Sequence, residues 1–409
     1  MPAIRSASLR LVSIFLCAAV ILGLVPVQPV QAAAIIYVAT TGTDNKACGP
    51  VDQPCKTIQY AIKEKSNAGD TIIIAAGTYS TTSGHILVEI DRNLTLSGAG
   101  INQTILDGGG EQMVVYVANS ITVTIRNLTI QNGGDYASSA EEYGVGIQNY
   151  GTLTVENCEI AHNHKDLTAH PNSKGGGIFN TGTLEVSKSY IHDNTASYGG
   201  GIFSNNKLTV EYSTIANNSY IGIVSYDNPL LINDSTITGN LLGGINVNGS
   251  GTNTVTYATI GKNDGYEIAV VGTTIKITNS IILADNANSC FSGSGTWNSG
   301  GHNISYRLNN AEQSVCVLLG TTDQNVNPQL GSLVSSIGSV PVMPISSSSP
   351  AYDAIPKQLY FPGYGMTNNF CPLLGTRADQ RGMPRPAFNA CDIGAYEVNP
   401  QVFVPLVAK

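Results

Sequence analysis

Residues 153–163 read LTVENCEIAHN, and three later segments repeat the same pattern. The repeats are LEVSKSYIHDN (184–194), LTVEYSTIANN (208–218) and LLINDSTITGN (230–240). One isoleucine column runs through six such units at spacings of 31, 24, 22, 23 and 22 residues: Ile160, Ile191, Ile215, Ile237, Ile260 and Ile282. A recurring period in this range predicts a repeat architecture, in which each unit buries its apolar face only by stacking on its neighbours.

Apolar and polar residues alternate within each unit. A leucine column contains Leu153, Leu184, Leu208 and Leu230. Two residues later comes a β-branched column of Val155, Val186, Val210, Ile232, Val255 and Ile277. A third column holds small residues: Cys158, Ser189, Ser213, Ser235, Ala258 and Ser280. Alternation with a period of two is typical of strands with one buried face, so we expect a coil with an apolar interior and a polar outside.

An asparagine follows each isoleucine by three or four residues: Asn163, Asn194, Asn218, Asn240, Asn263 and Asn286. Asparagine tolerates left-handed backbone, and stacked side-chain amides can bond to one another along the axis of a coil. We interpret this column as a structural ladder of turns. The alternative, a row of ligand-binding amides, is weaker because a regular repeat is what the architecture itself requires.

The composition fits a soluble, elongated, all-β protein. Among 409 residues there are 44 glycines, 42% of the residues are hydrophobic and only 12% are charged, which leaves little material for charged helices. The formal net charge is −8, without a cluster of basic residues after the N-terminal segment. We therefore expect no nucleic-acid partner. We also predict that the protein is a monomer.

The N-terminal segment has the pattern of an export signal. Arg5 and Arg10 precede an apolar run from Leu11 to Val25, and the small residues at 32–34 follow. We predict a signal peptide over residues 1–33 that is cleaved near Ala32. The run is short for a membrane span, so the mature chain is expected to have no integral membrane domain and to be secreted or held at a bacterial cell surface.

Cysteine usage is consistent with an oxidising compartment. Three close pairs are disulfide candidates: Cys48 with Cys55, Cys290 with Cys316, and Cys371 with Cys391. Cys158 is left over in the column of small residues. We expect it to be a buried, inert thiol, because no neighbouring base in the strand would lower its pKa.

The chain divides into five parts. A helical pattern over Lys56–Lys65, ended by the breaker at 67–70, is predicted to plug the open end of the coil. Strands are predicted over Thr71–Ala75 and Ile86–Ile90. The proposed division is a signal peptide (1–33), an N-terminal cap (34–80), β-helix repeats (81–326), an irregular C-terminal module (327–398) and an apolar tail (399–409).

Longer segments carry a family resemblance. KTIQYAIKEKSNAGDTIIIAAGTY (56–79), LTLSGAGINQTILDGGG (94–110) and the repeat units resemble right-handed parallel β-helix proteins of the pectate-lyase-like superfamily. NPQLGSL (327–333), SSPAYDA (348–354) and DQRGMPRPAFNACDIGAYE (379–397) resemble the choice-of-anchor Q segment of bacterial surface and secreted β-helix proteins. The resemblance implies the fold. It leaves the activity open, because such folds include lyases, hydrolases, epimerases and non-enzymatic adhesins.

GGGIFN (175–180) and GGGIFSNN (199–206) resemble, more weakly, the GGAI and FxxN repeats of polymorphic outer-membrane adhesins. The simpler interpretation is that these glycines permit tight turns between strands. We favour the simpler interpretation.

The repeats show no catalytic constellation. Hydrolysis on this fold would use paired aspartates, and a lyase would use a base beside an acidic cluster that binds calcium. Asp193, Asp234 and Asp285 are each expected to be isolated in their own coil. The segment from Arg381 to Arg385 superficially resembles an arginine-rich lyase motif, but it belongs to the C-terminal signature and is interpreted as structural.

Two insertions depart from the repeat, at about 135–143 and 165–174, and stacking should place them side by side. They define a candidate ligand-binding cluster: Asp135, Tyr136, Glu141, Glu142, His162, His164, Asp166, His170, His192 and Asp193. Carboxylates and imidazoles beside tyrosines suit a cation or a sugar, whereas the alternative is a pair of solvated surface loops. His162 and His164 alone make a weak metal motif because their spacing lacks a fixed third ligand.

Two functional hypotheses remain. The first is a non-catalytic secreted or cell-surface protein that binds carbohydrate or a partner surface. The second is a polysaccharide lyase or glycoside hydrolase that acts on an extracellular glycan, with calcium as a possible cofactor if it is a lyase. The absence of paired aspartates in the repeats favours the first.

Overall fold

Three parallel sheets wind together into a β-solenoid, with one strand from each sheet in a complete turn. The computed structural model describes residues 32–81, 84–135, 143–227, 229–284, 290–308, 320–335, 340–357, 371, 377–387 and 390–399. The residues from Ala33 onward belong to one compact unit. The predicted signal peptide (1–33) and apolar tail (399–409) lie almost wholly outside the described residues.

Within the described residues, sheet A has 11 strands, sheet B has 10 and sheet C has 9. Sheet A comprises Ile35–Val38, Asp70–Ile74, Leu94–Ser97, Thr122–Arg126, Thr152–Glu156, Thr183–Ser187, Leu208–Glu211, Leu230–Asn233, Thr252–Thr256, Thr274–Thr278 and Thr296–Gly301. Sheet B comprises Gly77–Tyr79, Thr104–Asp107, Thr129–Gln131, Glu159–Ala161, Tyr190–His192, Thr214–Ala216, Thr236–Thr238, Thr259–Gly261, Ile281–Ala284 and Ile304–Arg307. Sheet C comprises Ile86–Ile90, Met113–Val117, Ile147–Asn149, Ile178–Asn180, Ile202–Ser204, Ile221–Tyr226, Gly243–Asn248, Tyr266–Val271 and Cys290–Gly293.

The strand registers confirm the sequence columns. Leu153 pairs with Leu184, and Val155 with Val186, in sheet A. Ile160 pairs with Ile191 in sheet B, and the same column continues through the later repeats. All these side chains belong to one continuous buried core. The alternating pattern therefore gave the correct inward face of each strand.

Side-chain ladders close the turns between the sheets. The asparagine column is confirmed from Asn163 to Asn263, because each buried amide donates to the side-chain oxygen of the next asparagine or to a main-chain carbonyl. At its end Asn263 Nδ2 donates to buried Glu267 over 2.5 Å. The small-residue column forms a second ladder, in which Ser189 accepts from the Cys158 amide at 3.1 Å. Asn286 lies outside the described residues.

The N-terminal helix is shorter than predicted. It begins at Ile58 rather than Lys56 and consists of an α-helical turn (Ile58–Tyr60) followed by a π-helical turn (Ala61–Lys65). The first two residues of the predicted helix are instead held by Asp44, whose Oδ1 accepts their backbone amides at 2.8 and 3.0 Å. Ile58 and Ile62 join the core, and a disulfide between Cys48 and Cys55 lies beside them.

The described part of the C-terminal segment packs over the outer face of sheet B. Gln380 Oε1 accepts from Thr236 at 2.6 Å, and the Ala395 amide donates to Thr259 at 3.0 Å. A short antiparallel pair, Arg377–Ala378 with Pro384–Arg385, and a disulfide between Cys371 and Cys391 hold this segment together. No helix among the described residues is long and apolar enough to span a membrane.

Asp234 has partners that lie far away in the sequence. Its buried carboxylate faces two arginines of the C-terminal segment. Arg377 donates to Asp234 Oδ2 at 2.7 and 3.0 Å, and Arg385 Nε lies 3.3 Å from Oδ1. The structural interpretation of Arg381 and Arg385 is confirmed, because Arg381 pairs with Asp379 at 2.6 Å and Arg385 with Glu397 at 2.8 Å. Asp285 lies outside the described residues.

Candidate functional site

The two insertions leave the solenoid between sheets B and C of neighbouring coils. The first follows strand Thr129–Gln131 and the second follows strand Glu159–Ala161. Isolated parallel bridges join Tyr143 to Lys174 and Lys174 to Tyr198, so the ends of these connections stack as the strands do. This stacking sets the positions of the polar side chains on both sides of the loops.

One part of the predicted cluster locks the loops together. Asp135 forms a short ion pair with Lys165, whose side chain is only 3% exposed, and lies 3.8 Å from His170 Nε2. Its other oxygen accepts the Asp166 amide at 2.6 Å, and Asp166 in turn accepts the Thr168 amide at 2.8 Å. These contacts are mostly internal to the loops, which points to a positional role.

A second part is centred on His192, which is 8% exposed on the outer face of sheet B. Its Nε2 lies 3.0 Å from Glu159 Oε1, and its Nδ1 lies 2.5 Å from Asp193 Oδ2. The Tyr190 ring stacks on the imidazole with centroids 3.8 Å apart, and the His162 ring meets it edge-on at 5.7 Å. The His192 ring is therefore contacted by two carboxyl groups, a phenol ring and a second imidazole.

Protonation in this group follows from the contacts. Burial of the His192 ring opposes its charge, but hydrogen bonds that the ring donates to Glu159 and Asp193 outweigh that effect and raise the His192 pKa above its usual value. The hydrogen bond from His192 lowers the Glu159 pKa in return. Burial raises the pKa of Tyr190 to about 12. The two neighbouring carboxyl groups therefore favour the protonated form of the His192 ring.

The predicted cluster thus separates into two groups. The first group connects the two loops and contains Asp135, Asp166 and His170. The second group lies on sheet B and contains His162, His192 and Asp193. His164 is exposed, and its backbone bridges to Thr195. Tyr136, Glu141 and Glu142 lie outside the described residues. Asp193 lies beside His192, its partner in the predicted cluster.

Sequence reasoning missed Glu159 and Tyr190. Glu159 pairs with Tyr190 in register, and Ala161 pairs with His192, so Glu159 and His192 share the outer face of adjacent strands. Because the inward column was known, counting one residue to each side of Ile160 and Ile191 would have found both outward neighbours.

The outer face of sheet C carries a row of aromatic rings that the sequence analysis did not recognise. Centroids are 5.5 Å apart for Tyr116 and Tyr150, 6.1 Å for Tyr150 and Phe179, and 5.8 Å for Phe179 and Phe203. The row continues to Tyr226, 5.5 Å from Phe203. It follows successive coils.

A groove of about 530 Å³ opens at the end of this row. Its lining residues are Asn172, Lys174, Tyr198, Phe203, Asn205 and Tyr226. Tyr198 is 40% exposed, Phe203 is 2% exposed, and Lys174 Nζ lies 5.5 Å from the Phe203 ring centroid. The groove therefore combines aromatic faces, amides and one cation.

The phenylalanines of this surface lie in the GGGIF segments, which had been interpreted as turn-forming. Gly175 does require left-handed backbone, with φ of 67°. A Cβ on Gly177 would lie 2.6 Å from the Gly201 carbonyl oxygen, so close strand approach also requires glycine. The overlooked signal was that Ile178 and Ile202 point inward, which places Phe179 and Phe203 on the outside.

A family model described as "Right handed beta helix region" matches residues 112–282 and 178–327, which together cover more than half of the chain. The chain belongs to the right-handed β-helix family. A stretch of 102 residues in this β-helix protein is 29% identical to metabotropic glutamate receptor-like protein Q of Dictyostelium discoideum. That match covers 24% of the chain and 8% of the relative, so the chain spans only a small part of that protein's length.

Several solved structures are similar to this chain at low sequence identity. A rhamnogalacturonan lyase gives a TM-score of 0.47 at 12% identity and covers 74% of this chain and 91% of its own. The Dettilon tailspike protein gives 0.43 at 14% identity with 70% of each chain covered. The A-module of Azotobacter vinelandii mannuronan C-5 epimerase AlgE4 gives 0.33 at 17% identity and covers 62% of this chain and 87% of its own. Likeness at this level assigns no activity to this chain.

Proposed function

We propose that this β-helix protein is secreted or displayed at a cell surface, where it binds carbohydrate through the groove beside Tyr198 and Tyr226 without cleaving it. The observation that carries the proposal is the composition of that groove. An exposed tyrosine and a second, half-buried tyrosine line it together with Phe203, while Asn172 and Lys174 supply polar groups. Binding sites for small ligands usually combine apolar surface with a few placed polar groups.

A sugar suits this chemistry because each pyranose ring has apolar C–H faces and a polar rim of hydroxyls. The tyrosine rings can stack on the faces, whereas amides and an ammonium group can bond to hydroxyl or carboxylate oxygens. The aromatic row extends from the groove across neighbouring coils at spacings of 5.5–6.1 Å. Because Phe179 and Phe203 are each only 2% exposed, a glycan running along the row would contact the partly exposed tyrosines rather than the phenylalanine rings.

Secretion is supported by the disulfides Cys48–Cys55 and Cys371–Cys391, since such bonds persist in oxidising compartments. The N-terminal pattern of residues 1–33 points the same way.

The test is affinity electrophoresis of the full chain in gels that contain neutral or acidic polysaccharides. We expect retardation by at least one polymer, and Tyr198→Ala and Tyr226→Ala should each weaken binding roughly tenfold, as loss of one stacked ring would. Phe291→Ala removes an aromatic ring that is 55% exposed on the same sheet but outside the groove. The proposal is refuted if Tyr198→Ala, Tyr226→Ala and Phe291→Ala are all retarded to the same extent. It is also refuted if no polymer retards the wild type.

Catalysis is a second candidate, favoured by the Glu159–His192–Asp193 group. A carboxylate within 3.0 Å of an imidazole can take part in proton transfer if a glycan reaches sheet B. New reducing ends or unsaturated uronate from any of the same polymers, lost in Glu159→Gln, would favour an enzyme. Retention without product would favour the binding protein.

A further inference from the structure

Two neighbouring coils bring three metal-ligating side chains together on the outer face of sheet B. One ligand atom each from His162, His192 and Asp193 lies within 4.8 Å of the other two. The HxH spacing pairs His162 with His164 in the sequence, but His164 is not part of this group. The third ligand that the HxH motif lacked comes from the next coil.

The backbone explains why these residues meet. Ala161 and His192 are partners in the parallel ladder, so His162 and Asp193 occupy the equivalent next position of adjacent coils. Both have left-handed backbone, with φ of 56° and 53°. The same column holds Asn132 and Asn217 in the flanking coils, also with positive φ. The turn geometry is therefore general, whereas the ligating side chains are confined to two coils.

Glu159 orients His192 as a carboxylate orients a ligating histidine. Glu159 Oε1 lies 3.0 Å from Nε2, and its Oε2 accepts from Thr129 Oγ1 at 3.2 Å. Glu159 therefore favours a proton on Nε2 and leaves Nδ1, on the side of Asp193, as the atom for a metal. Ligating histidines usually donate their other ring N–H to such a partner. The stacked Tyr190 ring further restricts rotation of the imidazole.

We propose that His192 Nδ1, the Asp193 carboxylate and a ring nitrogen of His162 bind a first-row divalent transition metal such as Zn²⁺, with Glu159 as a positioning residue. Two imidazoles and one carboxylate suit these ions, whereas calcium prefers a shell of oxygens. Three protein ligands leave room for a water or an exogenous ligand in a fourth position. The site is separate from the sheet C groove, so it does not depend on carbohydrate binding.

Protons and a metal would compete for the same ring nitrogen. His192 Nδ1 lies 2.5 Å from Asp193 Oδ2, a hydrogen-bond distance, so a metal bound to Nδ1 would take the place of a proton there. The other titratable groups that face the imidazole are Glu159, Tyr190 and His162. Since the metal replaces the proton on Nδ1, affinity should fall as the pH is lowered and binding should release protons.

The experiment is calorimetric titration of the untagged, chelator-treated full chain with ZnCl₂ in two buffers of different ionisation enthalpy. We expect one equivalent to bind with proton release. His162→Ala and His192→Ala should each weaken binding at least tenfold, and Glu159→Gln by about 10–100-fold, as loss of an orienting carboxylate does. His164→Ala is the matched control and should bind as the wild type does.

Circular dichroism of each variant verifies folding before titration. If a variant misfolds, the wild type alone decides through Co²⁺ binding, which should give visible ligand-field absorption that Zn²⁺ abolishes. The proposal is wrong if the wild type binds Zn²⁺ no better than the His162→Ala/His192→Ala double variant, if His164→Ala is the variant that loses binding, or if no ligand-field band develops.

Discussion

Asn218 donates from Nδ2 to Asn240 Oδ1 over 3.1 Å, although the two residues are 22 positions apart in the chain. Through this bond one coil of the solenoid is joined to the next in the buried interior rather than at the surface. Oδ1 of Asn218 also accepts the backbone and side-chain amides of Asn194, each at 3.0 Å. The side-chain amide of Asn218 thus forms hydrogen bonds with both neighbouring coils.

Asn218→Ala should consequently destabilise the protein by about 2–4 kcal/mol, since it leaves several buried polar groups without partners. Urea unfolding followed by the fluorescence of Trp297, the single tryptophan, would measure the loss. Asn119→Ala is the control because Asn119 is exposed, and it should change the stability by less than about 0.5 kcal/mol. Equal effects of the two substitutions would mean that the ladder is not stabilising.

The fold could be predicted from the sequence because the repeat imposes one chemistry per column. Each column of residues meets the same environment in every coil, as the inward isoleucines, the small residues and the turn asparagines show. Six copies of the pattern therefore identify the strands and turns where a single segment would be ambiguous. The N-terminal helix occurs only once. Its start was misplaced because Asp44, 12 and 13 residues earlier, holds the amides of Lys56 and Thr57, a contact that local pattern cannot show.

The candidate site was predictable only in part. The insertions identified the correct turn, because departures from a period are visible in one sequence. Their side chains separate into two groups. Which side chains meet depends on the register between neighbouring coils, and that register depends on the lengths of both loops. Glu159 and Asp234 show the limit, since a residue's partners on adjacent coils or in a distant segment are 33 and more than 140 positions away.

Cys158 occupies a column that is otherwise mostly serine. Its thiol is buried, and burial raises its pKa to about 12, so it should not react with iodoacetamide in the folded protein and should be labelled after denaturation. Peptide mass spectrometry would locate the label. Rapid labelling of Cys158 in the native state would show that this part of the coil opens.

Cys158→Ser should be tolerated, with a stability change within about 1 kcal/mol. The equivalent hydroxyls of Ser189 and Ser213 each donate to the carbonyl two residues earlier at 2.7 Å, and the Glu156 carbonyl already accepts from Cys158 in the same way. Cys158→Leu should instead destabilise by about 1–3 kcal/mol because the column has room only for small side chains. Urea midpoints of the two variants would compare them, and a more stable leucine variant would contradict this account.

Arg385 is fully buried where the C-terminal segment meets the solenoid. Arg385→Met should cost about 3–5 kcal/mol, because the carboxylates of Asp234 and Glu397 would lose a buried partner. Limited proteolysis should then cleave the C-terminal segment first. Lys63→Met is the matched control, since its pair with Glu89 is about half exposed and should contribute no more than about 1 kcal/mol. Similar losses of stability in both variants would argue against a role for Arg385 in holding the C-terminal segment on the solenoid.

Asp392 should make the stability depend on pH near neutrality. Burial, reinforced by nearby Glu397, raises its pKa to about 7, although the amides of Asp353 and Val398 donate to it at 2.7 and 2.5 Å. Between the ordinary carboxyl pKa of about 4 and about 7, the folded state binds a proton that the unfolded state has released, so stability falls as pH rises through this window.

His192 also has a raised pKa, so it adds a further loss of stability as the pH rises above the ordinary histidine pKa. Urea midpoints of the wild type and Asp392→Asn between about pH 5 and about pH 8 separate the two contributions, and the variant should show the shallower decline. Parallel declines would exclude Asp392 as a source of the pH dependence.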